Sequence, residues 1–221
     1  MKKNLLSLLS MLLFTYIASA QVLFGVQAGG NVSTLKGDAI QSLNNVFDIT
    51  NGIVDQKSKF GFTGRAYASL PISQSFGVET GLSYQQKGYK ISGDFNSTFL
   101  KLLNTKADLI NTSHYIGLDA LAKVNISEGL SIKAGPQISY LAKNNLNIRS
   151  SILGFNLLNQ DFDLTSNTNI WDMGLTGGIS YKVSNGITIN GYYTHGLSPI
   201  DKNANIKAYN RSGGITVGFE F

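Results

Sequence analysis

The chain is 221 residues long, with 24 glycines, 3 prolines and no cysteine, and charged residues make up only 14% of it. That length suits one domain with a substantial core. So little charge excludes a disordered chain and departs from an ordinary water-facing surface, where roughly a quarter to a third of residues are charged. A mean hydropathy of +0.02 excludes a bundle of transmembrane helices, and the missing thiols exclude disulfides and cysteine-held metals.

The chain opens as a secretory signal peptide does: Lys2 and Lys3, an apolar run from Leu5 to Ile17, then Ala18-Ser19-Ala20 before Gln21. The apolar run is short of the ~20 residues that span a bilayer. Residues 1–20 are therefore expected to be cleaved, leaving one domain over residues 21–221. Without Lys2 and Lys3 the net charge falls from +5 to +3. The isoelectric point near 9.3 then marks no nucleic-acid footprint, and no nucleic-acid partner is expected.

Eight runs follow, each alternating with a period of two rather than 3.6. In the first, Phe24, Val26, Ala28 and Val32 alternate with Gln27, Gly29, Asn31 and Ser33. The second sets Phe60, Phe62, Ala66, Ala68 and Leu70 against Thr63, Arg65, Tyr67 and Ser69. In the third, Phe76, Val78, Leu82 and Tyr84 oppose Glu79, Ser83, Gln85 and Lys87, and in the fourth Ile116, Leu118, Ala122 and Val124 oppose Asp119, Lys123 and Asn125. The fifth opposes Ile132, Ala134, Ile138 and Tyr140 to Ser131, Lys133, Gln137 and Ser139. The sixth opposes Trp171, Met173, Leu175, Ile179 and Tyr181 to Asp172, Thr176, Ser180 and Lys182. Ile187, Ile189 and Tyr193 against Thr188, Asn190 and Tyr192 make the seventh; Ile215, Val217, Phe219 and Phe221 against Ser212, Thr216 and Glu220 make the last. Each run supplies the ~9–11 residues that a tilted strand needs to cross a bilayer.

The links alternate in length. Ser73-Gln74-Ser75, Ser127-Glu128-Gly129 and Ser184-Asn185-Gly186 are tight, whereas long loops are expected near residues 35–58, 92–112, 144–168 and 198–208. This is the pattern of an all-β, eight-stranded antiparallel up-and-down transmembrane β-barrel with long extracellular loops, seated in the outer membrane. An even strand count places both mature termini with the short turns, in the periplasm. A soluble barrel would alternate too, with its apolar face inward. Two features favour lipid. The polar face is rich in glycine (Gly61, Gly77, Gly81, Gly117, Gly135, Gly174), as a narrow lumen requires. Aromatics also gather near strand ends, Phe24, Phe76, Tyr181 and Phe219 towards the turns and Phe60, Tyr84, Tyr115, Tyr140, Trp171 and Tyr193 towards the loops, as interfacial girdles do.

Several strands resemble those of the PorT-like outer-membrane β-barrel family of Gram-negative bacteria. The matching stretches are Phe24-Gly25-Val26-Gln27-Ala28-Gly29, Gly81-Leu82-Ser83-Tyr84-Gln85-Gln86-Lys87-Gly88 and Tyr115-Ile116-Gly117-Leu118. Ile132-Lys133-Ala134-Gly135-Pro136, Trp171-Asp172-Met173-Gly174 and Tyr192-Tyr193-Thr194-His195-Gly196-Leu197 follow in the same order. The resemblance implies an eight-stranded barrel and outer-membrane residence, but no activity. The member that names the family belongs to a secretion and gliding apparatus. Asp119-Ala120 stands after Leu118 where the family usually carries proline. Phe221, with Phe219 beside it, resembles the terminal signal read by the barrel-assembly machinery, which the resemblance makes a partner during biogenesis.

The charges on the inward parity are Arg65, Glu79, Lys87, Asp119, Lys123, Lys133, Asp172, Lys182 and Glu220. Side chains fill an eight-stranded barrel, so a wide channel is excluded and buried charges must pair. Counting back from the tight turns makes Arg65 and Glu79 diagonal neighbours and sets Lys123 opposite Lys133, with Asp119 close by. A structural ion-pair network is the expectation; a catalytic carboxylate pair or a proton path is its rival. His114 and His195 fall on the lipid-facing parity of non-adjacent strands with no acid on their face. They read as interfacial residues, against the alternative of a lipid-modifying enzyme with a Ser/His/acid set on its outer wall. No phosphate loop or nucleophile elbow is present. Gly29-Gly30 and Gly177-Gly178 are strand glycines rather than a cofactor fingerprint, so no catalytic residue, cofactor or metal is assigned.

The loops are unexpectedly apolar. Phe99, Leu102, Leu103, Lys106, Leu109 and Ile110 have helical spacing, and Ile148, Ile152, Leu153, Phe155, Leu157 and Leu158 crowd the third loop. Such residues in water imply either a lid over the barrel mouth or a surface for a protein partner. For the latter, Phe99, Leu102, Leu103, Ile152, Leu153 and Phe155 are the candidates. The function expected is a non-enzymatic outer-membrane barrel with a scaffold or interaction role at the cell surface, in contact with outer-membrane lipid. A secretion or gliding component and a lipid-modifying enzyme are the alternatives.

Overall fold

A computed structural model describes residues 22–37, 53–94, 106–152, 155–184, 186–202 and 207–221. Nine strands occupy them: β1 (Leu23–Lys36), β2 (Ile53–Pro71), β3 (Phe76–Asp94), β4 (Lys106–Ser127), β5 (Leu130–Ile152), β6 (Phe155–Asp163), β7 (Trp171–Ser184), β8 (Ile187–Pro199) and β9 (Tyr209–Glu220). A 3-10 turn, Thr165–Asn167, precedes β7. Eight strands close into an antiparallel ring, β1-β2-β3-β4-β5-β7-β8-β9, and β9 returns to β1 in a ladder from Gly25↔Glu220 to Lys36↔Tyr209. The sheet thus has no edge in the membrane, which hydrocarbon demands of any spanning sheet.

The alternation turns the molecule inside out. Ile215 is 67% exposed and Leu118 55%, while Asn31, Ser33, Ser83, Gln137 and Thr216 are buried. Only a lipid solvent makes that arrangement favourable, because unburied apolar area in water costs about 25 cal/mol per Å². The barrel therefore wears its apolar face outside and packs polar side chains within. Leu35, Tyr67, Tyr115, Leu121 and Leu141 are the larger apolar bodies among them. Tyr115, expected in the outer girdle, is only 2% exposed and faces the lumen. Its neighbours Ile116 and Leu118 point to lipid, so parity places it opposite them.

Two of the tight turns depend on glycine. Gly129 and Gly186 have φ of +87° and +86°, a left-handed backbone that side chains resist. At the other end the expected loop boundaries are too wide, because the strands run on. β2, β3, β4 and β5 are 19, 19, 22 and 23 residues long, whereas β8 and β9 have 13 and 12. Lys106, Leu109 and Ile110, read as part of a helical pattern, lie in β4 and pair with β3. One side of the barrel thus rises above the rest as a sheet. β6 extends it, pairing with the outer end of β5 from Asn145↔Asp163 to Ile152↔Phe155.

Bulges break the ladder where this arm begins. β2 shifts register against β3 between Ser58 and Thr63, and β5 shifts against β4 between Tyr115↔Leu141 and His114↔Lys143. The second bulge reverses the facing of β5. Lys143, on the inward parity of the strand below, becomes the cross-strand partner of outward His114, and Asn144 turns into the interior.

Candidate functional site

The charged lumen is the densest chemistry in the described chain. Glu79 is fully buried, accepts a hydrogen bond from Arg65 Nη1 at 2.6 Å and forms an ion pair with Lys133 Nζ at 2.8 Å. Arg65 also grips Asp119 with both prongs, Nε at 2.8 Å and Nη2 at 2.5 Å. These four residues stand on four successive strands of the ring, β2, β3, β4 and β5, so one ionic layer ties that half of the barrel together. Gly81 makes room for it: a Cβ there would come within 2.5 Å of Arg65 Nε. The Tyr67 ring receives both cations on its face, Arg65 at 5.0 Å and Lys133 at 5.3 Å.

Two further pairings flank this layer. At the turn end, Glu220 on β9 sits between Lys123 at 3.7 Å and Lys182 at 3.4 Å. At the loop end, Lys87 on β3 reaches across the lumen to Asp172 on β7 at 2.9 Å, over the Tyr115 ring at 5.0 Å. Asp172 also accepts from Asn210 at 3.0 Å. Lys87 stood on the inward parity without an assigned mate. The signal missed was the cross-lumen geometry, which links β3 to a strand far away in sequence.

These tiers divide the interior. A cavity of about 480 Å³ opens at the turn end beside Lys123, Lys182 and Glu220. A central one of about 50 Å³ lies against Gln27, Gln85, Gln137 and Asn190, and one of about 260 Å³ lies under the loop end over Tyr115, Asn144 and Asn210. In the two buried tiers each carboxylate meets a cation, and breaking such a pair strands a charge in low dielectric. The arrangement can hold strand positions and block ion flow. It presents no nucleophile beside a base. Among the described residues no group of three or more His, Asp or Glu gathers that could hold a metal ion.

On the outer wall His114 faces lipid and its Nδ1 lies 2.7 Å from the Tyr84 hydroxyl. His195 is exposed on β8 against the Tyr193 ring at 6.4 Å. The two stand on strands that do not adjoin. Phe219 and Phe221 are exposed and stack at 6.4 Å beside the closing seam. Phe99, Leu102, Leu103 and Leu153 lie outside the described residues, and of Ile152 and Phe155 only the backbone is described, as the tip of the β5–β6 hairpin. In the arm, Asp108 receives Ser92 at 2.7 Å and pairs with Lys90 at 2.8 Å. Partial desolvation pushes its carboxyl up, but the bonds and charges of Lys90 and Ser92 outweigh that and hold it below the ordinary value.

The family model described as "Outer membrane protein beta-barrel domain" matches residues 18–202. No curated protein sequence matches the chain. Among solved structures it is similar to Ail of Yersinia pestis, at 12% identity and a TM-score of 0.43, covering 90% of this chain and 98% of that one. It is similar to Neisserial surface protein A at 16% identity and a TM-score of 0.46, covering 89% and 95%. The N-terminal barrel domain of Pseudomonas aeruginosa OprF follows at 10% identity and 0.40, covering 92% and 100%. Likeness of that degree carries nothing about what the chain does.

Proposed function

The chain belongs to the outer membrane protein β-barrel domain family and is an integral outer-membrane protein, and from that premise we propose that it is a non-enzymatic interaction barrel displaying its arm at the cell surface. The observation that carries this reading is the uneven height of the wall. Strands of 22 and 23 residues, β4 and β5, exceed by about twofold the ~9–11 residues that cross a bilayer. The surplus builds a sheet outside the lipid while the lumen is closed by ion pairs. A barrel that conducts has little use for a tall one-sided arm, and a barrel that presents a surface does. In this reading the short turns and both termini face the periplasm, residues 1–20 are a cleaved signal, and Phe219 and Phe221 serve the barrel-assembly machinery.

Placing a photo-crosslinking residue at Gln160 on β6 in living cells tests it. A discrete protein adduct is expected there, and none at lipid-facing Ile132. Replacing residues 147–161 by a two-residue Asn-Gly turn should abolish the partner's co-purification while the barrel still folds. Absence of any adduct along β6 would sink the reading. A secretion or gliding component is the second reading, favoured by the resemblance of Gly81 to Gly88 on β3 and Trp171 to Gly174 on β7. It predicts that the adduct is a component of an export complex. A lipid-modifying enzyme finds less support, since among the described residues neither His114 nor His195 is hydrogen-bonded to an acid.

A further inference from the structure

Above the apolar band, the outer wall carries a cluster built from four adjoining strands. The exposed apolar wall reaches up to Phe60 on β2, Tyr84 on β3, Ile116 on β4 and Tyr140 on β5. At the next level the chemistry changes at once. Gln86, His114 and Lys143 stand side by side in register across β3, β4 and β5. Lys59, at the β2 bulge, brings its ammonium to the Phe60 carbonyl at 3.3 Å. Its stem passes where a Cβ on Gly88 would come within 2.9 Å, so glycine there leaves the lysine its path. Both ammonium groups act electrostatically on His114, whose Nδ1 is tied to Tyr84.

The cluster is positive and short of acids. Lys143 acts on the Asp163 carboxylate, whose own hydrogen bonds go to Thr165. Lys90 and Lys57, higher in the arm, act on Asp108 instead. Lys59 on β2 and Lys143 on β5 flank Gln86 and His114, with β3 and β4 between them, so an anion lying across these two strands would meet a cation on either side. The position says what that is. Basic side chains directly above an aromatic girdle lie at the level of lipid head groups.

We propose that Lys59, His114 and Lys143, with Tyr84 and Gln86, form a lateral site for the phosphate-bearing head group of an anionic glycolipid of the outer leaflet. The lysines pair with the phosphate, the amide and phenol face sugar hydroxyls, and the exposed Phe60 and Phe62 lie against the acyl chains below. The proposal rests on the loop end facing outwards, as in the functional reading above, and a separate measurement reports that orientation.

The full chain, folded in detergent, is examined by native mass spectrometry with bisphosphorylated lipid A, the same lipid without its phosphates, and phosphatidylglycerol. Wild-type protein is expected to retain the bisphosphorylated lipid alone. Each lysine near a charged lipid surface contributes on the order of a fivefold gain, so Lys59→Gln with Lys143→Gln should lower retention roughly ten- to thirtyfold. Lys59→Arg with Lys143→Arg should restore it. Lys123→Gln, a charge removed from the opposite mouth, should leave it unchanged. The heat-dependent gel shift confirms that each variant is folded. Equal retention of the dephosphorylated lipid or of phosphatidylglycerol, or undiminished binding by the Gln pair, overturns the site. Lys202→Cys, introduced into a chain that has no other cysteine, is labelled on intact cells with an impermeant maleimide. Labelling on intact cells supports the orientation; labelling that appears only after permeabilisation overturns the orientation and, with it, the outer-leaflet assignment.

Discussion

Glu79 and Asp119 sit in one ionic layer yet are not equivalent. Glu79 neutralises Arg65 and Lys133 together, while Asp119 serves Arg65, which keeps Glu79 if Asp119 is lost. Glu79→Gln should therefore cost about 3–5 kcal/mol, the price of a stranded buried charge. Asp119→Asn should cost about 1–3 kcal/mol, a lost charged hydrogen bond. Leu118→Arg, one residue along, puts a guanidinium against lipid and should cost about 2–4 kcal/mol. Urea titration of the three variants refolded into bilayers reads all of this. If Leu118→Arg were silent while Asp119→Asn prevented folding, the facing of β4 would be wrong. The inward charges were legible because parity is a strict rule. The cross-lumen pair Lys87–Asp172 was not, because parity gives a face and says nothing of how far a side chain reaches.

Within single elements, the barrel strands were easier to read than the arm. Membrane-spanning runs must be apolar on one face, and that requirement writes period two into β1, β7 and β9. Beyond the lipid the constraint lapses. Leu109 and Ile110 are adjacent on β4, so their spacing fits a helix as well as a strand. Tyr115 shows the converse error, an aromatic assigned by its closeness to a strand end against the parity of its own neighbours. The arm also has its own pH response. The Asp108 carboxyl is held below its ordinary value by Lys90 and Ser92, so its contribution is complete above the unfolded value near ~4. That contribution disappears as pH falls through the lower folded value. Amide protection across the β3–β4 ladder from Ile91↔Leu109 to Asp94↔Lys106, taken relative to the intrinsic exchange rate at each pH, should be alike at pH 7 and 5 and should fall only below about pH 4. Asp108→Asn should be less protected at neutral pH and lose the acid dependence of that protection.

The whole molecule is a closed cylinder with its interior partitioned by charge. Reconstituted in planar bilayers, it should show no sustained conductance at neutral pH, and unboiled samples should migrate differently from boiled ones on gel electrophoresis. Steady ion flow would require the Arg65, Glu79, Asp119 and Lys133 layer to open, and would remove the case for a non-conducting barrel. The seam adds a constraint of another kind. Phe24 and Phe221 exchange backbone hydrogen bonds at 3.1 and 2.8 Å, although nearly the whole polypeptide separates them. A ribosome delivers Phe24 long before Phe221. No intermediate lacking β9 can complete the circle, and every such species carries two unmatched borders, β1 and β8, ready to recruit a neighbour. Any such species must therefore be shielded from its own copies until β9 joins the ring.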